Sequence, residues 1–324
     1  MSDQNDVASD PRALAALQAA QMYYLQDLTM ETIASELHAS RSTVSRLLSY
    51  ARSSGLVDIR VRAPFAAGPP AERAIAERFQ VVAHVVPAPD SLSDVDRLER
   101  VALTSARLLH RHIDSNMIIG LAWGSTMGAI SRHLAVKDVH NTLVVQLNGA
   151  GNTQTTGIDY ASEILRRFGD AYHARVQQFP VPALFDEAST KDAFWRERAT
   201  QRVLELQGRM DVALFGLGSP FAGVPSHVYV GGYLDDRDYR SLSADRVVGD
   251  VATVFYRVDG SHRDVALNAR ATGPDFATLR RVPRRICVVA GEQKLDSLRG
   301  ALAAGVITDL VLDEGLARRL LATT

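Results

Sequence analysis

Between Arg41 and Arg52 stand three arginines and a row of hydroxyls, with no acid among them. That mixture suits phosphate oxygens and the acceptor edge of guanine. Arg41, Ser42, Thr43, Ser45, Arg46 and Arg52 are the side chains left free to make such contacts. Val44, Leu47, Leu48 and Ala51 recur at helical spacing and turn the other way, on a helix from 41 to about 54. Ser40 can cap its start and Gly55 can end it. A shorter helix over 30–37, capped by Thr29, turns Ile33, Ala34 and Leu37 inward. His38, Ala39 and Ser40 leave room for a tight turn only. Two helices joined in this way make a helix-turn-helix, whose second helix offers its first turns to the major groove of double-stranded DNA. A strand over 57–61, with Arg60 and Arg62, reads as a wing along the DNA backbone.

Four further clusters lie where a predicted strand gives way to a loop, the usual place for ligands in open α/β sheets. In the first, a strand runs into Gly124, Ser125 and Thr126 and then a helix. A glycine allows close backbone approach, and two hydroxyls at a helix start suit a phosphate or carboxylate. The same residues equally fit a tight turn with capping hydroxyls. The second is the loop after 147, with Gly149 and Gly151 beside Asn148, Asn152 and Thr153, whose side chains can bond sugar hydroxyls. A plain loop reads as well there. The third joins Gly216 and Gly218, after an apolar strand, to Asp250 at the start of a strand over 250–256. That carboxylate can accept bonds from ligand hydroxyls, or serve as a cap. In the fourth, Lys294 stands at a helix start, where a cation is disfavoured. A bound anion or Glu292 would explain it, and a solvated surface lysine is the plainer alternative.

The elements that hold these clusters follow from hydrophobic periodicity. Residues 1–62 are expected to form a disordered tail over 1–10 and then the helix-turn-helix domain. The stretch 63–70, APFAAGPP, breaks helix and strand patterns and is read as a linker. From 71 to 324 helices and apolar strands alternate. Helices are expected over 71–79, 94–113, 126–134, 160–168, 294–304 and 314–321. Strands are expected over 81–86, 117–122, 142–147, 174–179, 212–216, 286–290 and 309–312. The 94–113 helix should bury Val95, Leu98, Val101, Ala102, Ser105, Leu108 and Leu109. Continuous apolar strands between amphipathic helices mean a doubly wound, mostly parallel α/β domain covered on both faces.

Composition narrows the class. Of 324 residues, 46% are hydrophobic and 23% charged, the profile of a globular chain large enough for two cores. No apolar run reaches the ~20 residues of a membrane span. The polar, acidic start lacks a signal peptide's pattern, so a cytoplasmic location is expected. Net charge is −1, so DNA affinity must come from a local patch. The lone Cys287 lies in an apolar run, and packing is its expected role. His110 and His112 fall on different helix faces, a poor metal pair. Neither a HExxH zinc motif nor a GxSxG nucleophile elbow occurs.

Taken in order, these features resemble the SorC (DeoR-like) family of sugar-responsive transcription regulators. The carriers are the GxxWGxT turn at 120–126, the GxG at 216–218, the VGD with its aromatic strand at 248–256, and Asn268-Ala-Arg270. AGxxK at 290–294 and LAAGVITDLVLDE at 302–314 complete the set. The resemblance implies a fold like that of the sugar-phosphate isomerase, glucosamine-phosphate deaminase and CoA-transferase group, catalytically idle and binding a sugar as a signal. It implies that Ser125, Thr126 and Lys294 meet a phosphate, that Gly149 to Thr153 line the pocket, and that Asp250 holds hydroxyls. A homo-oligomer, and specifically a tetramer, is implied too. The exposed side of the helix over 13–25, with Leu14, Leu17 and Met22, offers one self-association face. Glu292 stands where the family often has glycine, which leaves an unphosphorylated sugar or polyol open as the effector. No cofactor is expected beyond that effector. The competing reading is a sugar-phosphate isomerase- or deaminase-like enzyme with a DNA-binding head, in which Lys294 forms a Schiff base and Asp250 moves protons.

Overall fold

The computed structural model describes residues 11–54, 56–57, 70–155, 158–220 and 226–322. The chain divides into two compact units, Met1–Ala66 and Ala67–Thr324. In the first, α1 (Pro11–Tyr24), α2 (Met30–Glu36) and α3 (Arg41–Ser53) pack together. The fully buried side chains that helix α1 contributes to the core are small, Ala16, Ala19 and Ala20, against Ile33, Val44, Leu48 and Ala51, with Met22 and Tyr24 packed on it partly buried. Alanine on one face lets two helices approach closely. Thr29 caps α2 by accepting the Thr32 N–H at 3.2 Å, and Ser40 caps α3 by accepting the Thr43 N–H at 3.1 Å. His38, at φ 47°, turns the chain between them. The expected stop at Gly55, the tail over 1–10, the wing strand and nearly all of the linker lie outside the described residues. Val57 is the described part of the wing, and its N–H returns to Ala51 O at 3.0 Å.

The second unit opens with α4 (Pro70–Phe79), whose first residue needs no N–H partner at that position. Then come β1 (Val82–Val86), α5 (Asp94–His112), β2 (Ile118–Leu121), α6 (Ser125–Ser131), β3 (Leu143–Gln146), α7 (Ile158–Ala171) and β4 (Arg175–Gln177). The middle holds α8 (Ala188–Trp195), α9 (Arg198–Gln207), β5 (Val212–Gly216), α10 (His227–Val230) and α11 (Asp236–Ala244). It ends with β6 (Gly249–Val251), β7 (Val254–Tyr256), α12 (Phe276–Arg281), β8 (Arg284–Val289), α13 (Leu295–Ala303), β9 (Asp309–Asp313) and α14 (Glu314–Ala322).

Seven strands form one parallel sheet in the order β1-β9-β8-β5-β2-β3-β4. Successive side chains alternate between two cores. Ala213, Phe215, Cys287, Val289, Leu310 and Leu312 face one core, closed by α4, α9, α12, α13 and α14. Val212, Leu214, Ile286, Val288 and Val311 face the other, closed by α5, α6 and α7. Burial on both sides explains why these strands read as continuous apolar runs. At Gly120 this packing leaves no space for a side chain, since a Cβ there would stand 2.1 Å from Met210 Sδ and 2.7 Å from Leu147 Cδ2. From β2 the chain moves to β3 on one side, while β5 joins β2 on the other. The strand order therefore reverses between β2 and β5, opening a crevice at their carboxyl ends.

Three expectations are corrected. Val95 is 61% exposed, while Arg97, two positions on, is buried with Asp313. Asp250 does not start a long strand. It occupies the middle of β6, and β6 with β7 makes a separate antiparallel hairpin. Lys294 stands at the start of α13 as its N-cap, closing a 3-10 turn over Glu292–Lys294, but it is buried and not a solvated surface lysine.

Ser40→Ala should remove about 1 kcal/mol from α3. Amide exchange at Thr43 and Val44 should then speed by about fivefold, and Ser40→Asp should restore protection.

Candidate functional site

Helix α3 presents Arg41, Ser42, Ser45, Arg46 and Arg52 to solvent, opposite Val44, Leu48 and Ala51. Four of the six expected contact residues make contacts within the helical unit, among them Ser42, whose Oγ lies 2.8 Å from Ser40 Oγ. The Thr43 side chain lies 2.8 Å from Ser40 Oγ and completes the cap, half-buried. Arg41 Nε pairs with Glu31 Oε1 at 2.9 Å across the turn. Both partners are well exposed, so this pair adds little stability and yields readily to a phosphate. Arg46 Nε donates to Ser42 O at 3.2 Å, which stiffens its stem along the helix. Arg52, in the last turn, also complements the helix dipole.

In the second unit, the crevice between β2 and β5 brings together Gly124, Ser125, Thr126, Gly216, Gly218, Asp250 and Lys294. These residues come from four separate stretches of sequence. Gly124, at φ 133°, turns β2 into α6 through backbone space closed to other residues. Gly216 faces Thr126, where a Cβ would come within 3.0 Å of its Oγ1. Gly218 is required more strictly, because a Cβ there would lie 1.8 Å from Asp250 Oδ1. Gly218 N–H donates to Asp250 O at 2.9 Å, locking the β6 hairpin against the end of β5. The hairpin turns on Ala252 and Thr253, both at positive φ (48° and 66°). Asp250 Oδ2 accepts the Thr253 N–H at 3.0 Å and holds that turn.

The polar groups of this crevice are incompletely matched. Lys294 is buried, and its Nζ donates to Leu217 O at 2.9 Å. Burial holds its pKa below the ordinary lysine value, partly offset by Asp250, Cys287 and Asp94. Burial also pushes the Asp250 carboxyl up to about 6, against the Thr253 N–H, the nearby Tyr229 side chain and Lys294. Asp250 Oδ1 and Asn148 Oδ1 are buried without a hydrogen-bond partner. The Tyr229 hydroxyl makes no well-formed bond, yet it lies close enough to the Asp250 carboxyl to act on it as a hydrogen-bond donor, which favours the ionised carboxylate. Buried acceptors without donors are unfavourable, and a ligand's O–H groups can satisfy them. Donors stand ready as well, in the Lys294 ammonium and the Ser125 and Thr126 hydroxyls. Glu292 does not face Lys294 as an ion-pair partner. Its Oε2 lies 3.2 Å from Arg319 Nε.

Other expected residues lie apart from this crevice. Gly149 packs against Val181 O and Pro182 O, both 2.2 Å from where a Cβ would be. Gly151, Asn152 and Thr153 line a neighbouring cleft with Tyr233 and Arg270. Asn152 Nδ2 donates to Gly231 O at 2.7 Å, and Thr153 Oγ1 to Gly232 O at 3.1 Å. Their side chains tie down the 231–233 segment. Trp123 Nε1 donates to Gly149 O at 2.8 Å, and its ring stacks on Tyr233 at 5.2 Å, dividing the two clefts. Asn268 serves β7, exchanging two bonds of 2.8 Å with the Phe255 backbone, while Arg270 pairs with Asp238. Sequence reasoning missed Ser226, His227 and Thr253 as lining residues.

Among the described residues no helix is long and apolar enough to cross a membrane, and no cluster of three metal-ligating side chains occurs.

Comparisons with known proteins agree with this construction. Residues 65–322 match the family described as "Putative sugar-binding domain", and residues 17–54 match sigma-70 region 4. The deoxyribonucleoside regulator of Bacillus subtilis (strain 168) is 32% identical over 308 residues, 94% of this chain and 96% of its own length. The full-length sorbitol operon regulator SorC of Klebsiella pneumoniae superposes with a TM-score of 0.79 at 26% identity, over 97% of this chain and 99% of that one. A domain of "a possible sugar-binding transcriptional regulator" from Arthrobacter aurescens TC1 is 57% identical, with a TM-score of 0.75, covering 81% of this chain and all of that one. The named relatives are regulators and not enzymes, which removes the competing catalytic reading. By this match across nearly its whole length, the chain belongs to the SorC/DeoR family of transcription regulators, with a sigma-70 region 4-like helix-turn-helix ahead of the family's "Putative sugar-binding domain".

Proposed function

We propose that this regulator binds a specific operator through α3 and that a sugar, polyol or sugar phosphate in the β2–β5 crevice controls that binding. One observation carries the reading. A buried lysine, a buried aspartate and an asparagine with unsatisfied atoms meet two hydroxyl side chains at the point where strand order reverses. Donors and acceptors in this ratio suit a polyhydroxylated ligand. Ser125, Thr126 and Lys294 take an anionic group where there is one, and Asp250 with Asn148 takes hydroxyls.

Ser42, Ser45 and Arg46 read base edges, while Arg41 and Arg52 hold phosphates. The protein acts in the cytoplasm as a homo-oligomer, a tetramer, matching paired half-sites. Leu14 and Leu17, exposed on α1 (53% and 37%), and Leu25 just beyond its end (80%) support one contact of that assembly, whereas Met22 packs against the unit's own core. The ligand acts by binding the DNA-competent and incompetent states with different affinity.

The decisive experiment measures binding of the intact protein to its own promoter region while sugars, polyols and their phosphates are screened. At least one compound should shift both the melting temperature and the operator affinity. No promoter preference, with or without these compounds, would sink the reading. Arg46→Ala should weaken operator binding by about 5- to 150-fold and leave the compound-induced thermal shift intact. Lys294→Met should abolish that shift and keep operator binding.

The Asp250 carboxyl supplies a pH test with a neutral sugar as ligand. Hydroxyls donate to the ionised form, so affinity should be full above about pH 6 and decline below it. Asp250→Asn should flatten that profile. The raised value has the opposite sign for the empty domain, where ionising Asp250 lowers stability as pH climbs from 3.8 through about 6. Calorimetry across that window measures both effects.

A further inference from the structure

Lys294 reaches the crevice from a turn that is itself held from behind. Gly291 takes φ 97°, and its N–H donates to Asp313 Oδ2 at 2.7 Å. Asp313, at the end of β9, is fully buried. Its other oxygen accepts the Leu316 N–H at 3.1 Å and Arg97 Nη1 at 3.1 Å. Arg97 is 7% exposed, although it occupies the first turns of α5, where its neighbours Asp96 and Leu98 are partly or fully open to water. Residue 315, beside the pair, is glycine, and a Cβ there would meet Glu292 Oε1 first, at 2.9 Å. It would also lie 3.2 Å from Asp313 Oδ1 and 3.4 Å from Arg97 Nη1.

We propose that Arg97 is a positioning residue for effector recognition: by neutralising Asp313 it fixes the Gly291–Lys294 turn, and with it the ammonium in the crevice. The proposal rests on Lys294 being an effector contact. Its physical basis is the asymmetry of buried ion pairs. Removing one partner leaves a charge with neither water nor a counter-ion, and the remaining group must move or take up a proton. Either response weakens the hold on the Gly291 N–H, three residues before Lys294. A second ion pair, Arg284 Nη1 to Asp309 Oδ1 at 2.5 Å, joins the first residues of the same two strands, β8 and β9. It supplies a control of similar chemistry at the opposite end.

The chain has three lysines, Lys137, Lys191 and Lys294, so a lysine-labelled sample gives a spectrum simple enough to follow Lys294 alone. Its Cε resonance, assigned by loss in Lys294→Arg, is titrated with pH in the intact protein. In Arg97→Met the Lys294 midpoint should climb by about one pH unit or more toward the ordinary lysine value. Arg97→Lys, which keeps the charge and loses the fork, should move it partway. Arg284→Met should lower the melting temperature and leave Lys294 unmoved. If Arg97→Met does not fold, Arg97→Lys carries the test alone. A Lys294 titration that is unchanged in the Arg97 variants, or shifted as much by Arg284→Met, overturns the proposal. Inorganic phosphate then probes recognition, and its effect on the Lys294 resonance should need about tenfold more phosphate in Arg97→Met than in wild type. Wild-type Lys294 that ignores inorganic phosphate, sugars and sugar phosphates alike defeats the effector assignment instead, a result separate from an unmoved lysine in the variants.

Discussion

A carboxylate removed from water must have its lone pairs matched, or it will not stay ionised where it is. Asp313 meets that condition with three donors from three directions: a guanidinium from α5, the first amide of the β8 turn and an amide at the start of α14. Each of those segments would otherwise be a strand end or helix end free to wander. Joining them at one buried point makes the carboxyl edge of β8 and β9 a single piece. Lys294 extends from that piece, so the position of the only buried ammonium among the described residues is set by a charge outside the crevice. The same economy appears at Gly218, where the missing Cβ lets one hairpin close on β5 and delivers Asp250.

These two anchors explain why the crevice can hold opposite charges without collapsing them into a bridge. Asp250 and Lys294 come from different strand ends, each fixed by backbone bonds of its own. Lys294 settles on the Leu217 carbonyl and Asp250 on the Thr253 amide. Both are then pushed toward neutrality by burial. A site built this way favours a ligand able to bond with each charge separately, and a flexible pair of surface side chains would not.

The sheet was legible because burial on both faces leaves uninterrupted apolar runs, as at 212–216 and 286–289. The recognition helix was legible because Ser40, Val44, Leu48 and Ala51 combine a cap with a period. The β6–β7 hairpin was not. Its two turn residues are Ala252 and Thr253, neither of which favours positive φ, so nothing between Val248 and Tyr256 marks a reversal. That conformation is imposed by Asp250 and by close backbone packing around Gly273, whose Cβ would lie 1.9 Å from Ala252 O. Glycine spacing left the role of the 149–153 loop open for a related reason. A glycine signals close approach without saying to what, and at Gly149 the approach is to the Val181 and Pro182 carbonyls. The burial of Arg97 was not legible, because helical periodicity assigns faces by polarity and a buried ion pair defeats that rule.

Regulation needs more than a ligand that fits. A compound that binds both states of the protein equally shifts nothing, however tightly it binds. Under the proposed function, the unmatched groups of the crevice provide the needed difference. In any arrangement where Lys294, Asp250 and Asn148 face one another as they do here, a polyol or sugar phosphate gains several charge-assisted bonds at once. In an arrangement where the β8 turn or the β6 hairpin has moved by an ångström, most of those bonds are lost together, because the groups sit on separate rigid anchors. Affinity therefore depends steeply on how those anchors are placed. By linkage, the ligand then holds the anchors in one placement with the same free energy that their alignment contributes to its binding.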